Sequence, residues 1–265
     1  MKKFWFILTA LVATCFLVAC SGSQGVNTKT IKEKKKIVVA TESEFAPFEF
    51  KSLVNGKDTL VGADIELAKA IGERLGVKVE FSVMSFDNVL ASVQSGKSDI
   101  AIAGISVTDE RKKVYDFSDS YYTSENVVIV KKDKVNDFTS ADSLAKQTVG
   151  TQKGSVQETV AKKQISKASV VSLASNGEMI NELKSGQIQA VVLEKAIAEG
   201  YIAQNDDLTL ASFNLKSDGS DAYAVATRKG SDDLLKEINA VIKETKDSGK
   251  FDQWLKEASS YKQSK

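Results

Sequence analysis

From residue 37 the chain alternates short β-rich runs with stretches of helical periodicity, and that alternation limits the folds open to it. "KIVVAT" reads as a strand, and "ADIELAKAIGERLG" carries apolar residues at helical spacing. "VKVEFSV" is a second strand, "FDNVLASVQSG" a helix and "DIAIAGI" a third strand. Strand–helix–strand order predicts a parallel sheet with helices on its faces. The order then recurs. "VLASVQSGKSDIAIAG" (89–104) and "MINELKSGQIQAVVLE" (179–194) are each helix, Ser-Gly turn, strand, with Gly96 and Gly186 90 residues apart. "IVVATESE" and "TVGTQKGS" are each strand, then loop. Two Rossmann-like α/β lobes explain the repetition better than one continuous sheet, with chance similarity of short α/β units as the alternative. Crossings are expected around 124–132 and 220–230. That gives a first part of lobe 1 over 37–127, lobe 2 over 128–220, and a return to lobe 1 over 221–265 through "DDLLKEINAVIKETKDSG" and "KFDQWLKEA".

Composition closes off several chemistries. There is no histidine, so His-based triads, His metal sites and His general bases are excluded. The two cysteines, Cys15 and Cys20, both precede the folded part, so a cysteine-cluster metal site is excluded too. No metal and no cofactor is expected. "MKKFWFILTALVATCFLVAC" has a basic start, an apolar stretch and small residues before a cysteine, the pattern of a secretory signal over 1–19. Its ending "LVAC" resembles the lipobox of bacterial lipoproteins, which implies cleavage before Cys20 and lipidation of its thiol. A plain signal peptide cleaved nearby is the alternative. Residues 20–36, "CSGSQGVNTKTIKEKKK", lack apolar periodicity and read as a flexible tether. The tether holds five Lys and one Glu, whereas the chain from residue 37 is net −5. A basic tether suits an anionic lipid surface, or serves solubility alone. No basic patch with interleaved aromatics is present, so nucleic acid is not an expected partner.

Ligands of open parallel sheets bind beyond the carboxyl ends of strands, and four such ends are polar or aromatic here. "GISVTDERKKVY" (104–115) starts a helix at Thr108 and places Arg111 in its first turn. Cations are disfavoured there by a few tenths of a kcal/mol, and arginine is scarce, at Arg74, Arg111 and Arg228 only. A guanidinium beside free amides suits a planar anion such as a carboxylate, with Ser106 able to join it. Pairing of Arg111 with Asp109 or Asp116 is the alternative. "KGSVQE" (153–158) has capping-box spacing from Ser155 to Glu158, and Gly154 permits close approach. Its amides could meet the same anion, or the motif could be a cap alone. Glu194 ends an apolar strand, where an unpaired charge is costly; an ammonium group would pair it, as would Lys195 or Lys153. A carboxylate grip plus an ammonium grip describes a free α-amino acid. Phe45 and Phe86 offer apolar walls or core packing. Glu42 and Glu44 alternate on an extended segment and point opposite ways, so one can face the cleft.

Taken together, "ATESEFAPFEF", "VGADIELAKAIG", "DIAIAGISVTDERKKVYDFSDSYY" and "GTQKGSVQE" resemble the bacterial solute-binding proteins for polar amino acids that serve ATP-binding-cassette importers. The resemblance runs from 37 to about 257. It implies a type II periplasmic-binding-protein-like fold, two lobes joined by two hinge strands and closing on ligand. It implies that Arg111 grips the α-carboxylate with help from Ser106 and the amides near Gly154 and Ser155. The Ala103 or Gly104 carbonyl and Glu194 would take the α-amino group, although family members usually carry Asp at the position of Glu194. Phe45 and Phe86 match aromatic walls, Glu42 an acidic position facing a polar or cationic side chain, and Gln152 a pocket-lining loop position. The resulting expectation is a monomeric, lipid-anchored binding protein on the outer face of the cell membrane that delivers an amino acid to a permease. Arginine is favoured, ahead of lysine or histidine, with glutamine as the alternative. A cyclohexadienyl-dehydratase-like enzyme on the same scaffold, using Lys153 or Glu194 as acid or base, is the alternative of another class. A sensory receptor domain is a further one.

Overall fold

A computed structural model describes residues 25–217, 219 and 221–263. The expected signal segment and Cys20 lie outside the described residues. In chain order the elements are α1 (Thr28–Lys34), β1 (Lys36–Thr41), β2 (Glu44–Phe45), β3 (Glu49–Val54), β4 (Lys57–Val61), α2 (Ala63–Leu75), β5 (Lys78–Val83), α3 (Phe86–Gln94), β6 (Ile100–Ala101), α4 (Asp109–Val114), β7 (Tyr115–Phe117), β8 (Tyr122–Thr123) and β9 (Asn126–Lys131). There follow β10 (Thr148–Gln152), α5 (Val156–Gln164), β11 (Ser169–Leu173), α6 (Asn176–Ser185), β12 (Ala190–Glu194), α7 (Lys195–Ile202), β13 (Leu208–Leu215), β14 (Ala222–Tyr223), β15 (Ala226–Arg228), α8 (Asp232–Asp247) and α9 (Lys250–Ala258).

Two five-stranded sheets carry the architecture, ordered β5-β1-β6-β15-β7 and β11-β10-β12-β9-β13. In the first, β1 pairs parallel with both β5 and β6, and β15 runs antiparallel to β6. In the second, β10 pairs parallel with β11 and β12, and β9 runs antiparallel to β12. In each sheet the first strand of the parallel set, β1 or β10, lies between the next two, so the chain crosses it in passing from β5 to β6 and from β11 to β12. A crevice opens at the carboxyl end of such a strand, which places Thr41–Glu42 and Gln152–Lys153 at equivalent points. The short antiparallel ladder of β8 with β14 pairs the segment entering the second sheet with the segment leaving it. Strands β2, β3 and β4 form a separate hairpin sheet beside the first.

The helices bury the stripes that their sequences define. Along α8, Leu234, Leu235, Ile238, Val241 and Ile242 recur at helical spacing and are buried. Each such side chain contributes about 1.5–3 kcal/mol by leaving water. Arg74 of α2 donates to Glu237 at 2.7 Å and Glu244 at 2.9 Å on α8, an exposed clasp that solvent and salt screen.

The expected flexible tether over 20–36 needs correction at its folded end. Residues 28–34 form α1, capped by Asn27 Oδ1, which accepts from the Thr30 amide at 2.8 Å. Ile31 is fully buried, the Val26 amide donates to Ser231 Oγ, and the Thr28 amide and hydroxyl donate to Asp233 Oδ2. A seven-residue helix is marginal on its own, and one buried isoleucine is too little to show as periodicity. The first lobe supplies what the segment lacks.

Candidate ligand-binding site

The carboxyl ends of the two sheets meet, and most of the sequence-derived candidates converge there. Arg111, in the first turn of α4, projects between the sheets. Its Nη1 donates to the Ser106 carbonyl at 2.7 Å and its Nη2 to the Gly154 carbonyl at 3.1 Å, from the opposite sheet. The guanidinium also lies over the Phe86 ring, 5.8 Å from its centre. Burial lowers its pKa to about 10, with the Glu194 charge opposing the shift. Neither alternative partner is used, because Asp109 pairs with Lys112 and Asp116 with Lys229.

Glu42 and Glu44 separate as their alternation requires. Glu42 is buried and accepts from Gln152 Nε2 at both carboxylate oxygens, at 3.2 and 3.1 Å. Burial pushes it up to about 8 against the Gln152 hydrogen bond, and Glu44 and Glu194 add to the rise. Glu44 turns to α6, where its Oε2 accepts from the Gly177 amide at 2.9 Å. Its own carbonyl accepts from the Tyr201 hydroxyl at 3.0 Å.

Glu194 closes β12 and is buried. Burial raises it to about 7, while its own backbone amide, Tyr223, Gln157 and Arg111 pull it part of the way back. It takes neither nearby lysine, since Lys195 pairs with Glu125 and Lys153 with Asp87 at 2.8 Å across the sheets. Among the described residues, neither Glu42 nor Glu194 is in an ion pair.

Gly154 and Ser155 require a correction. Their amides are already engaged, Gly154 N by Glu158 Oε2 at 2.9 Å and Ser155 N by the Gln152 carbonyl at 3.2 Å. Gly154 therefore meets Arg111 through its carbonyl, and Ser155 serves as N-cap of α5 by accepting from the Glu158 amide. Lys153, a candidate acid or base for the enzymatic alternative, is exposed and tied to Asp87.

Phe45 packs on Phe48 and Tyr223 and presses on Gly104, where a Cβ would come within 2.4 Å of its ring. Gly104 adopts φ +53°, and its amide donates to Asp64 Oδ2 at 3.1 Å. The same oxygen accepts from the Tyr121 hydroxyl at 2.8 Å. Ala103, ahead of Gly104, is fully buried. Asp64 thus sets the backbone whose carbonyls were expected to meet an amino group. Nothing local in the sequence marks Asp64, because an acid in the first turn of a helix is ordinary and Tyr121 lies 57 residues away.

Four buried carboxyls carry raised pKa values: Glu42, Glu194, Asp64 at about 6, and Glu49 well above its usual range, each through burial first. Above the ordinary value of 4.5, the folded chain keeps protons that an unfolded glutamate has lost. Their contribution to stability is therefore present at low pH and lost as pH rises through about 6 to 8. With no histidine to titrate in that window, the urea midpoint in amino-acid-free buffer is expected to be lower at about pH 8.5 than at about pH 5.5. A higher midpoint at the alkaline end would contradict the burial of these groups.

Among the described residues no group of His, Cys, Asp or Glu is arranged to hold a metal ion, and no helix is long and apolar enough to cross a membrane. The arrangement is a cleft between two α/β lobes, with one guanidinium and two uncompensated carboxyls at the strand ends. The family model for bacterial extracellular solute-binding proteins, family 3, matches residues 37–258, and the chain belongs to that family. It is 34% identical to the arginine-binding extracellular protein ArtP of Bacillus subtilis over 261 residues, 97% of each chain. It is 32% identical to the glutamine-binding protein GlnH of the same organism over 277 residues, 97% of this chain and 98% of that one. The crystal structure of the amino acid transporter substrate-binding protein AbpA from Streptococcus pneumoniae, bound to L-arginine, is 49% identical. It covers 89% of this chain and 100% of that one, with a TM-score of 0.86.

Proposed function

We propose that this chain captures a cationic amino acid, arginine above all, outside the cell and delivers it to the permease of an ATP-binding-cassette importer. Residues 37–127 and 221–265 act as one lobe and 128–220 as the other, closing about the β8–β14 ladder. The observation that carries the reading is the pair of buried carboxyls, Glu42 and Glu194, with no cation in an ion pair with either among the described residues. Arg111, opposite them, supplies the complementary grip for a carboxylate. An α-carboxylate on Arg111, an α-ammonium on Glu194 and a guanidinium on Glu42 use all three charges. The arginine-bound relative supports the assignment. No covalent step is required of any of these groups.

Glutamine is the second reading. Glu42 already accepts an amide NH₂ from Gln152, so a ligand amide could take that place, and GlnH is among the relatives. A thermal-shift screen of the twenty amino acids tests the assignment. A ligand at about 100 times its dissociation constant adds about 2.7 kcal/mol to the native state. Arginine is expected to give the largest rise; a larger rise with glutamine would move the assignment to that ligand.

The lipid anchor belongs to the same proposal and rests on "LVAC" at 17–20. Cys20→Ser is expected to leave the chain unprocessed or to release it from the membrane. Membrane fractionation showing a processed Cys20→Ser chain still retained would refute lipidation there.

A further inference from the structure

Asn176 opens α6 directly behind its N-cap, Ser175. It heads the buried stripe of that helix, which continues through Met179, Ile180 and Leu183. The side chain therefore lies on the sheet-facing side of α6, at the level where the strands end. It follows β11, whose last residue, Leu173, stands beside Gln152 in the ladder. Asn176 is fully buried, yet among the described residues neither its Oδ1 nor its Nδ2 has a hydrogen-bond partner. A buried amide left unbonded is costly, and such groups are nearly always satisfied. The adjacent Gly177 amide is held by Glu44 from the opposite lobe, so the N-terminus of α6 abuts the interlobe cleft.

We propose that Asn176 is a specificity-determining residue of this site, with its side-chain amide reading the distal head of the ligand side chain beside Glu42. The inference rests on the amino-acid-binding reading above. Oδ1 accepts from a guanidinium or ammonium N–H. Glu44 is barred from this role while its carboxylate holds Gly177. A neutral acceptor suits the position, because Glu42 and Glu44 already crowd the region with negative charge and a third carboxylate would raise the cost of burial.

Two variants of the processed chain test this by calorimetry with arginine and with citrulline, its neutral isostere. Asn176→Leu, close in shape and without polar atoms, is expected to weaken arginine binding at least about tenfold while raising the Tm of the ligand-free chain, because it removes an unbonded buried amide. Wild-type arginine affinity together with a raised Tm would show an amide that is merely buried, and would overturn the proposal. Asn176→Asp is expected to lower citrulline affinity by a larger factor than arginine affinity, since the added charge favours only the cation. An equal loss for both ligands would also overturn it. The binding reading fails separately: if wild type prefers a neutral amino acid, a tenfold loss of that ligand in Asn176→Leu still supports the role of Asn176, and only the cationic assignment falls.

Discussion

Arg111→Ala is expected to abolish detectable amino-acid binding, and Arg111→Lys to weaken it strongly, with the fold intact in both. The guanidinium is held by two carbonyls, Ser106 O and Gly154 O, and lies over Phe86. Those contacts come from both lobes and aim the planar group into the cleft before any ligand arrives. An ammonium keeps the charge but cannot satisfy two carbonyls and a bidentate carboxylate in one plane. Removing one partner of a buried charge pair typically costs about 2–5 kcal/mol. Calorimetry that finds either variant near wild-type affinity would reduce Arg111 to a tie between lobes.

Glu42→Gln carries the second large effect, and it falls unequally on two ligands. A guanidinium on a buried carboxylate makes charge-assisted bonds about twice as strong as neutral ones. Removing the charge is expected to cost arginine more than about 1.4 kcal/mol, a factor of ten. Glutamine should lose much less, because an amide accepts an NH₂ donor nearly as well as a carboxylate does. The substitution also removes the cost of ionising a carboxyl whose pKa stands at about 8, so stability without added ligand should rise at alkaline pH. Competition binding with both amino acids measures the difference. Equal losses would show that Glu42 supports the cleft walls without reading the ligand.

The parts of the site that were legible in the sequence are those where a residue breaks a local rule. Arg111 stands at the wrong end of a helix, and Glu194 ends an apolar strand; each oddity is resolved in the cleft. The alternation at 42–44 meant that one glutamate could face the cleft, but choosing between them required the opposite lobe. Gln152 selects Glu42, and Gly177 takes Glu44. The role of Gly154 was reversed for a similar reason, since the Glu158 carboxylate reaches back to its amide and leaves only the carbonyl free for Arg111. Asp64 and Asn176 obey every local rule at a helix start, and only their burial sets them apart. The helix at 28–34 has a single fully buried side chain, Ile31, and exists through its contacts with Ser231 and Asp233, some 200 residues away in sequence.

The central claim is that opposed charges across one cleft read the two ends of an amino acid. A crystal structure of the protein grown with arginine tests it most directly. The α-carboxylate is expected on the Arg111 guanidinium, the α-ammonium on Glu194 and the ligand guanidinium within hydrogen-bond distance of Glu42. Arginine bound with its guanidinium in solvent and Glu42 still held by Gln152 alone would contradict it.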